Sequence, residues 1–468
     1  MVCHTLAQIA SGTNGTSDMI NIHAKLVDLD GPIDVGIIGA GLFGTKLMDQ
    51  IARVPGMRTV AVADLNLDAA QDSLEEAGLD RSGTRVTGVE SIDQAIADDS
   101  IALTDDSIAL TESGVDVVVE STGIPEAGAR HAYNAIQEGK HVVMVTVETD
   151  TVVGPILAEM AESAGVTYSL AYGDQPALIV ELYDWARSVG MDVVAVGKGN
   201  PYREEYRTGT PDDVFERYGF EESFVEDHNL NPRMYNSFLD GTKVAVEMCA
   251  VANALELEPD VPGMHLPTCE IPDIPNTLRP VEDGGVLEGT GVVDTVSTLH
   301  PDGTSVDHSI SFGVFVVTST PNAAVAEYIE QNSGDGLYVS DDGQYQVFYR
   351  PYHLPGVETT ISIATAALDN EPTGVARTNA AEVVAAAKRD LDPGDELDGG
   401  GGYTVYGTLE TADRAARNGH VPFELLDGAE VREAVPQDDV ITYDDVRIDD
   451  TSFIHTLRQL QDERSVER

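Results

Sequence analysis

Short apolar runs alternate with amphipathic helical patterns from Ile33 to about Leu170. Five runs have the length and continuous apolar character of strands that are buried on both faces: IDVGIIG, RTVAVAD, VDVVVES, HVVMVTV and VTYSLA. A helical pattern follows each of the first four. This alternation is typical of a parallel, doubly wound sheet, so we predict an α/β fold for residues 31–171.

The pattern changes after Tyr172. Helical patterns then mix with period-two strands, of which GVVDTVSTL, HSISFGVFVVTST and YQVFYRPYHL are the clearest. A single long helix is predicted for the segment MYNSFLDGTKVAVEMCAVANALELE. Residues 172–378 are therefore predicted to form a mixed α+β second domain.

The N-terminal and C-terminal segments differ in composition from the two predicted domains. Residues 379–449 combine short strands, four consecutive glycines and Asp/Pro/Gly turns, which predicts a small β module. Residues 450–468 form a tail with a short charged helix from Thr451, and residues 1–30 form an N-terminal arm. The repeated unit in DDSIALTDDSIALT, residues 98–111, is interpreted as a surface loop before the VDVVVES strand.

A glycine motif follows the first strand and opens the first helix of this α/β region. Gly39 allows a tight turn, Gly41 allows a pyrophosphate to approach the backbone, and Gly44 allows close packing of helix on strand. The helix N-terminus stabilises the anion. We therefore predict a Rossmann-type site that binds a dinucleotide through Gly39, Gly41, Leu42, Phe43 and Gly44.

An acidic residue occupies the position at which Rossmann-type sites bind the ribose of the dinucleotide. Asp64 ends the RTVAVAD strand, 20 residues after Gly44, and its carboxylate accepts hydrogen bonds from a ribose diol. A carboxylate would repel a 2′-phosphate, which favours NAD. Arg58 and Asn66 are near it in sequence, so NADP also stays open.

Two further segments follow buried strands, at the edge where ligands of open parallel sheets bind. Ser121, Thr122 and Gly123 are candidates to meet the nicotinamide half, or they form an ordinary strand-to-helix turn. Glu148 and Asp150 would project to one side if the extended conformation persists. Alternatively, Asp150 caps a helix that starts directly after it.

Charge narrows the classes of partner. The chain has 27 Lys and Arg against 81 Asp and Glu, a net charge of −54. This charge disfavours nucleic acid and anionic membranes as partners, and it is typical of halophilic proteins, whose self-repulsion salt screens. Three cysteines give no disulfide framework, and no apolar run suggests a membrane span or signal. We expect a cytoplasmic protein.

Lysines are scarce, which draws attention to those that remain. Only six occur, and Lys198 and Lys243 follow or enter predicted core elements. Either could be a chance surface survivor. Beside Asp240 or Glu148, however, a lysine would stay charged and stabilise an alkoxide, or act as an acid if burial lowered its pKa. These four residues are our catalytic candidates.

Three other side chains are candidates for substrate binding. Asp174 suits a substrate hydroxyl, while Arg350 and His353 suit a carboxylate or phosphate. His353 is as well explained by a packed, hydrogen-bonded histidine. An oxygen-liganded metal is conceivable through Glu148, Asp150 or Asp174, but no spacing requires one, and we assign no metal site.

Long blocks of the sequence resemble one family. Residues 31–449 are similar to homoserine-dehydrogenase-like NAD(P)-dependent oxidoreductases that carry a C-terminal SAF domain. The blocks that carry the resemblance are GIIGAGLFGTKL, ESTGIPEAGARHAYNAIQEGKHVVMVTVETDTVVGPILA, YSLAYGDQPALIVELYDWARSVGMDVVAVGKG, SFLDGTKVAVEMCAVANA and YRPYHLPGVE.

The resemblance implies hydride transfer with a small-molecule substrate, a SAF-like β module and a homo-oligomer. The family includes proteins that resemble 1-deoxy-D-xylulose 5-phosphate reductoisomerase, so a metal-dependent sugar-phosphate reductoisomerase is one alternative. A dinucleotide sensor without turnover is another. Homoserine dehydrogenases have a catalytic lysine after the GKHVV strand, whereas this chain reads MVTVETD there, which argues against homoserine as substrate.

Overall fold

The computed structural model describes residues 21–79, 83–227, 230–334 and 336–467. The first sheet contains β1 (Ile33–Ile38), β2 (Met57–Ala63), β3 (Gly83–Arg85), β4 (Ile101–Thr104), β5 (Val117–Glu120), β6 (His141–Met144) and β7 (Tyr168–Leu170). Within the described residues its order is β3-β4-β2-β1-β5-β6-β7, and every pairing is parallel. The predicted doubly wound α/β sheet is confirmed. Strand order reverses between β1 and β5, which opens a ligand crevice at their carboxyl ends.

Helices connect these strands and cover the sheet. They are α1 (Ile22–Val27), α2 (Leu42–Ile51), α3 (Leu67–Glu76), α4 (Val89–Ala97), α5 (Ser107–Glu112), α6 (Pro125–Gln137) and α7 (Val147–Ala164). Helix α1 belongs to the predicted N-terminal arm, of which residues 1–20 lie outside the described residues. Apart from the edge strand β3, the strand side chains between the helix layers are mostly buried, as expected for a sheet covered on both faces.

The repeated SIALT unit is not a surface loop, so that prediction is wrong. The first copy supplies β4, a buried strand between β2 and β3. The second copy supplies α5, whose first turn is capped by the Asp106 carboxylate, which accepts the Ala109 N–H at 3.0 Å. Identical residues take both forms because sheet pairing decides one copy and a helix cap decides the other.

A second, mixed sheet follows. Its strands are β8 (Asp192–Asn200), β9 (Glu258–Pro259), β10 (Val292–Ser297), β11 (Val314–Ser319), β12 (Tyr338–Val339) and β13 (Tyr345–Arg350). The order is β12-β13-β11-β8-β10-β9; β10 runs parallel to β8 and β11 antiparallel to it. The accompanying helices are α8 (Gln175–Ser188), α9 (Val214–Tyr218), α10 (Glu222–Asp227), α11 (Pro232–Leu239), α12 (Thr242–Leu255), α13 (Ile274–Thr277), α14 (Ala323–Gln331) and α15 (Thr360–Asp369).

The single long helix expected before residue 256 is two helices, α11 and α12. They separate at Gly241, whose φ of +91° lies in the left-handed region that favours glycine. The Asp240 carboxylate accepts the Thr242 N–H at 2.9 Å and so starts the second helix. This break sets the direction in which α12 projects its side chains.

The C-terminal region is mostly strand and turn and ends in a helix. Its elements are β14 (Ala381–Ala387), β15 (Val405–Thr411), α16 (Ala412–Asn418), a 3₁₀ turn (Phe423–Leu425), β16 (Glu430–Val431), β17 (Val446–Arg447) and α17 (Phe453–Glu467). Strands β14 and β15 pair antiparallel, and so do β16 and β17. None of the helices in the described ranges is long and apolar enough to cross a membrane.

Helix α17 returns to the first sheet and repairs a break in α7. Pro155 interrupts α7 because it has no N–H to donate. Directly beside the proline, the buried Gln461 amide donates to Val152 O at 3.1 Å and accepts from Ile156 N at 3.1 Å. These two backbone groups would pair with each other in an uninterrupted helix. Gln461 therefore holds together the helix whose first turn carries Glu148.

Replacing Gln461 by leucine should remove both hydrogen bonds and lower the free energy of unfolding by about 2 kcal/mol. The amides of α7 should also exchange hydrogen faster. The matched control is Gln459→Leu, because Gln459 lies exposed on the same helix. Denaturant titration and hydrogen exchange, both at high KCl, measure the effects; equal behaviour of the two variants would contradict this role.

Candidate active site

The glycine turn between β1 and α2 leaves space for an anion. A Cβ on Gly39 would stand 2.7 Å from Ser121 O, and one on Gly44 would stand 2.3 Å from Gly39 O. Gly41 differs, because no atom lies within 4 Å of where its Cβ would be. It precedes α2 and no side chain caps this end of the helix. The amides of α2 therefore face open space, which fits the pyrophosphate of a dinucleotide.

Asp64 lies beside this turn, at the carboxyl end of β2. Its two oxygens accept N–H groups from Ala40 and Asn66, each at 2.8 Å. A carboxylate oxygen has a second lone pair, so each can still accept a ribose hydroxyl. Leu42 and Leu65 flank the turn with 70% and 90% of their surface exposed. Such exposed apolar side chains fit the faces of an adenine ring.

Arg58 does not lie near Asp64. It occupies the second position of β2 and forms ion pairs with Asp34 at 2.6 Å and Asp99 at 3.2 Å. A strand of this length places it about 20 Å from Asp64. The Asn66 side chain caps helix α3. Proximity of these side chains therefore gives no support to binding of a 2′-phosphate.

The turn after β5 connects the glycine turn to helix α7. The Ser121 hydroxyl donates to Gly39 O at 3.0 Å, and the Thr122 hydroxyl donates to the last carboxylate of β5. The Gly123 N–H donates to the Thr146 hydroxyl at 3.0 Å. Because Thr146 directly precedes α7, the start of that helix lies next to the predicted nicotinamide end of the crevice.

Glu148 and Asp150 lie inside helix α7, so the prediction of an extended pair is wrong. The helix starts at Val147, four residues earlier than expected, and Thr146 takes the N-cap position assigned to Asp150. Residues two apart on a helix face different sides. Asp150 points inward and accepts the Tyr168 hydroxyl at 3.1 Å, and burial raises the pKa of Asp150 to about 7. Only Glu148 faces the candidate site.

Helix α12 brings together the two lysines selected from the sequence. Lys243 Nζ lies 2.7 Å from Glu148 Oε1, which joins α12 to α7. One turn later, Glu247 forms an ion pair with Lys198 of β8, and both side chains are almost fully buried. Positions 243 and 247 share a helix face. We name Lys198, Lys243, Glu148 and Glu247 the lysine cluster.

Mutual attraction keeps Lys243 and Glu247 ionised. Burial lowers the pKa of Lys243, but the charges of Glu148, Glu247 and Asp174 outweigh it and raise this pKa above its usual value. Burial raises the pKa of Glu247, but the two lysines outweigh it and the net shift is downward. Lys243 is therefore an ammonium group at neutral pH, and 21% of its side chain is exposed.

Two acids beside the lysine cluster have raised pKa values. Asp174 caps helix α8 through the Gln175 N–H at 2.9 Å, and burial, helped by the charge of Glu247, raises its pKa. Glu424 comes from the 3₁₀ turn of the C-terminal region; burial and the charge of Glu148 raise its pKa to about 8. Glu424 is thus mainly protonated at neutral pH.

Asp240 has a different partner. Lys388, 2% exposed, lies 2.7 Å from Asp240 Oδ2 and also donates to Gly209 O and Gly402 O. All three N–H groups of this ammonium are satisfied. The Asp240–Lys388 pair therefore ties the C-terminal region to the start of α12, and the carboxylate is engaged there instead of pairing with Lys243.

Arg350 is the last residue of β13, and His353 lies in the loop that follows it. Arg350 forms an ion pair with Glu358 and lies 3.5 Å from the Tyr172 hydroxyl. His353 Nδ1 lies 2.8 Å from Phe312 O. A carbonyl oxygen only accepts, so Nδ1 carries a hydrogen and donates it to Phe312 O. Both side chains have protein partners, and His353 also lowers the pKa of the nearby Asp174 and Glu247.

This loop, residues 351–359, spans from the cofactor turn to Asp174. A Cβ on Gly356 would stand 3.2 Å from Phe43 O, in the first turn of α2. A Cβ on Gly173 would stand 2.8 Å from Leu354 O. The loop therefore packs against the glycine turn at one point and against the segment leading to Asp174 at another, which places the lysine cluster and the dinucleotide crevice side by side.

Sequence reasoning missed Glu247 and Glu424. Spacing could have revealed Glu247, because it follows Lys243 by four residues on a predicted helix. No local signal marks Glu424, which reaches the site through tertiary folding. Among the described residues, no group of three or more His, Cys, Asp or Glu side chains could hold a metal ion.

Comparisons with known solved structures give only distant likenesses. A probable dehydrogenase from Thermotoga maritima is 12% identical over 74% of this chain and 91% of its own, with a TM-score of 0.36. The 1-deoxy-D-xylulose 5-phosphate reductoisomerase of Zymomonas mobilis with NADPH is 13% identical over 71% and 80%, with a TM-score of 0.35. The WlbA dehydrogenase of Bordetella pertussis with NADH and UDP-GlcNAcA is 18% identical over 38% and 46%, with a TM-score of 0.27. Likeness at this level carries no functional argument.

Family models are more informative. No curated protein matches the chain significantly. Residues 39–171 match the model of the homoserine dehydrogenase NAD binding domain, and residues 173–359 match the model of the oxidoreductase DRL catalytic domain. The first match begins at the glycine turn and the second spans Lys198, Lys243 and Arg350. The chain is therefore an NAD(P)-binding oxidoreductase with a homoserine dehydrogenase-like NAD-binding domain and an oxidoreductase catalytic domain.

Proposed function

We propose that this protein transfers a hydride between NAD(P) and a small, polar, anionic alcohol or carbonyl compound. The observation that carries the proposal is the Lys243 ammonium, charged and partly exposed where α12 meets α7 beside the dinucleotide crevice. When bound, the cofactor supplies or accepts the hydride.

Lys243 stabilises the negative charge that develops on the substrate oxygen when hydride reaches its carbon. Glu148 and Glu247 hold the ammonium in place before the substrate arrives. Asp174 or Glu424, with their raised pKa values, donates the proton that turns the alkoxide into an alcohol. Arg350 and His353 bind the anionic end of the substrate.

NAD is the proposed cofactor of choice. Asp64 offers two hydrogen-bond acceptors to a ribose diol and repels a 2′-phosphate. Arg58 is bound to Asp34 and Asp99 at the far end of β2. No cation therefore faces Asp64 from its own strand or from the helix cap that follows.

We propose the domain organisation, the cellular compartment and the oligomeric state from the sequence. Residues 31–171 are taken as the dinucleotide-binding domain, 172–378 as the substrate and oligomerisation domain, and 379–449 as a SAF-like module. The charge of −54 fits a halophilic, cytoplasmic protein. A homo-oligomer is proposed from the family resemblance.

The reaction is tested by following NADH and NADPH oxidation at multimolar KCl with sugar phosphates, semialdehydes and 2-oxo acids. Once a substrate is found, Lys243→Met should lower kcat about 100- to 1000-fold and leave the Kd for NADH unchanged. Lys140→Met is the control, because Lys140 precedes β6 at the opposite end of the sheet.

Lys198→Met is the poorer test, since it leaves Glu247 buried without a partner and costs about 3–5 kcal/mol of stability. A Lys243→Met enzyme with wild-type kcat would refute the catalytic role. NADH binding with no turnover on any substrate would favour a sensor, and turnover that disappears with EDTA would favour a metal-dependent reductoisomerase.

Removing the charge of Asp64 should change cofactor preference. We expect wild-type protein to bind NADH more tightly than NADPH, and Asp64→Ser to shrink this preference at least about tenfold because the repulsion of the 2′-phosphate is gone. Fluorescence titration at fixed KCl measures both Kd values, with Asp72→Ser, an exposed acid on α3, as control. Tighter binding of NADPH by the wild type would contradict the assignment.

A further inference from the structure

A cleft away from the lysine cluster collects cationic side chains. It has a volume of ≈ 420 Å³ and lies between the segment after β8, the loop after β9 and the end of β10. Arg203, Arg207, His265 and His300 line it, with Glu204 and Glu205 as the only acids. Acids outnumber Lys and Arg threefold in the whole chain, so equal numbers of Arg and Glu here make the cleft much less acidic than the rest of the protein. We name it the arginine cleft.

Two of the four basic side chains of the arginine cleft already have an acceptor. Arg203 donates to Pro301 O and pairs with Glu205 at 2.7 Å. His265 Nε2 lies 2.7 Å from Asp260. Arg207 forms no ion pair with any described residue; its guanidinium carbon stands 5.6 Å from the centre of the Tyr202 ring. A guanidinium has five N–H donors and binds oxyanions in two-point geometry.

Tyr202 supplies a second group without an acceptor. The residue is 7% exposed, and its buried hydroxyl lies beside the Arg207 guanidinium but donates to no acceptor among the described residues. Burial raises the pKa of this phenol, so it stays a neutral donor. Buried hydroxyls are normally paired. The Arg207 guanidinium and the Tyr202 hydroxyl lie side by side, and both call for a negatively charged oxygen.

We propose that the arginine cleft binds the phosphate or carboxylate group of a small anionic metabolite, with Arg207 and Tyr202 as its ligands. A volume of this size suits a small molecule. The site is distinct from the lysine cluster and does not depend on the proposed reaction.

The arginine cleft lies where several segments of the protein meet, so a bound anion would contact more than one of them. Tyr202 and Arg207 also line a narrower crevice that reaches Gly241, at the start of α12, and Tyr406 of β15. An anion held there touches the segment after β8 and lies next to the contact between α12 and the C-terminal strand pair. Binding should therefore stabilise the folded protein against heat by linkage.

Isothermal titration calorimetry with inorganic phosphate and with malonate tests the site. The protein is saturated with NADH, so that the glycine turn is occupied, and KCl is held constant. We expect saturable binding that Arg207→Gln weakens at least about tenfold. Arg447→Gln, which removes the same charge from the exposed side of β17, should bind as wild type.

Tyr202→Phe provides the variant that tests binding without disturbing the fold. Its hydroxyl donates to no acceptor among the described residues, so the Tm without anion should change little while phosphate or malonate binds more weakly. Binding of phosphate but not of malonate would identify phosphate esters as the ligand class of the cleft. Binding of both probes would identify small oxyanions in general as the ligand class. No saturable binding to wild type, or wild-type affinity in both Arg207→Gln and Tyr202→Phe, would overturn the proposal.

Discussion

Two ion pairs on one face of helix α12 fix the arrangement of the candidate site. Lys243 reaches across to Glu148 on α7, and Glu247 reaches across to Lys198 on β8. A charge in a protein interior is tolerated only when it is paired, so each pair constrains two elements at once. The first sheet, the second sheet and the helix between them are thereby held in one relative position at the edge of the dinucleotide crevice.

This arrangement explains why a lysine-poor, acid-rich chain keeps lysines in its interior. The attraction of three carboxylates more than offsets the cost of burial and keeps Lys243 charged. A preorganised cation needs no solvent rearrangement when charge develops on a substrate, which is the largest single contribution in many enzymes. Burial raises the pKa of Glu424 to about 8, which places a mainly protonated acid next to that cation.

The C-terminal region contributes residues to the candidate site. Glu424 approaches the lysine cluster from one side, and Lys388 anchors the region to Asp240 at the start of α12. Helix α17 then inserts Gln461 into the backbone of α7. The first sheet, the second sheet and the C-terminal region are thus connected through two helices, α7 and α12.

Periodicity in the sequence predicted the parallel sheet, the glycine turn and the mixed second sheet, because each depends on local pattern. It failed where tertiary context decides. The two SIALT copies carry the same residues yet form β4 and α5, and the start of α7 at Val147 turned Glu148 and Asp150 to different sides. Composition singled out the lysines, but the partner of Asp240 and the approach of Glu424 follow from contacts between distant segments. A crystal structure with bound NADH is the decisive measurement for this arrangement. We predict that the nicotinamide ring lies against the turn of residues 121–123, with the Lys243 ammonium within reach of a substrate oxygen on its reactive face; a nicotinamide separated from Lys243 by protein would contradict the proposed role of Lys243.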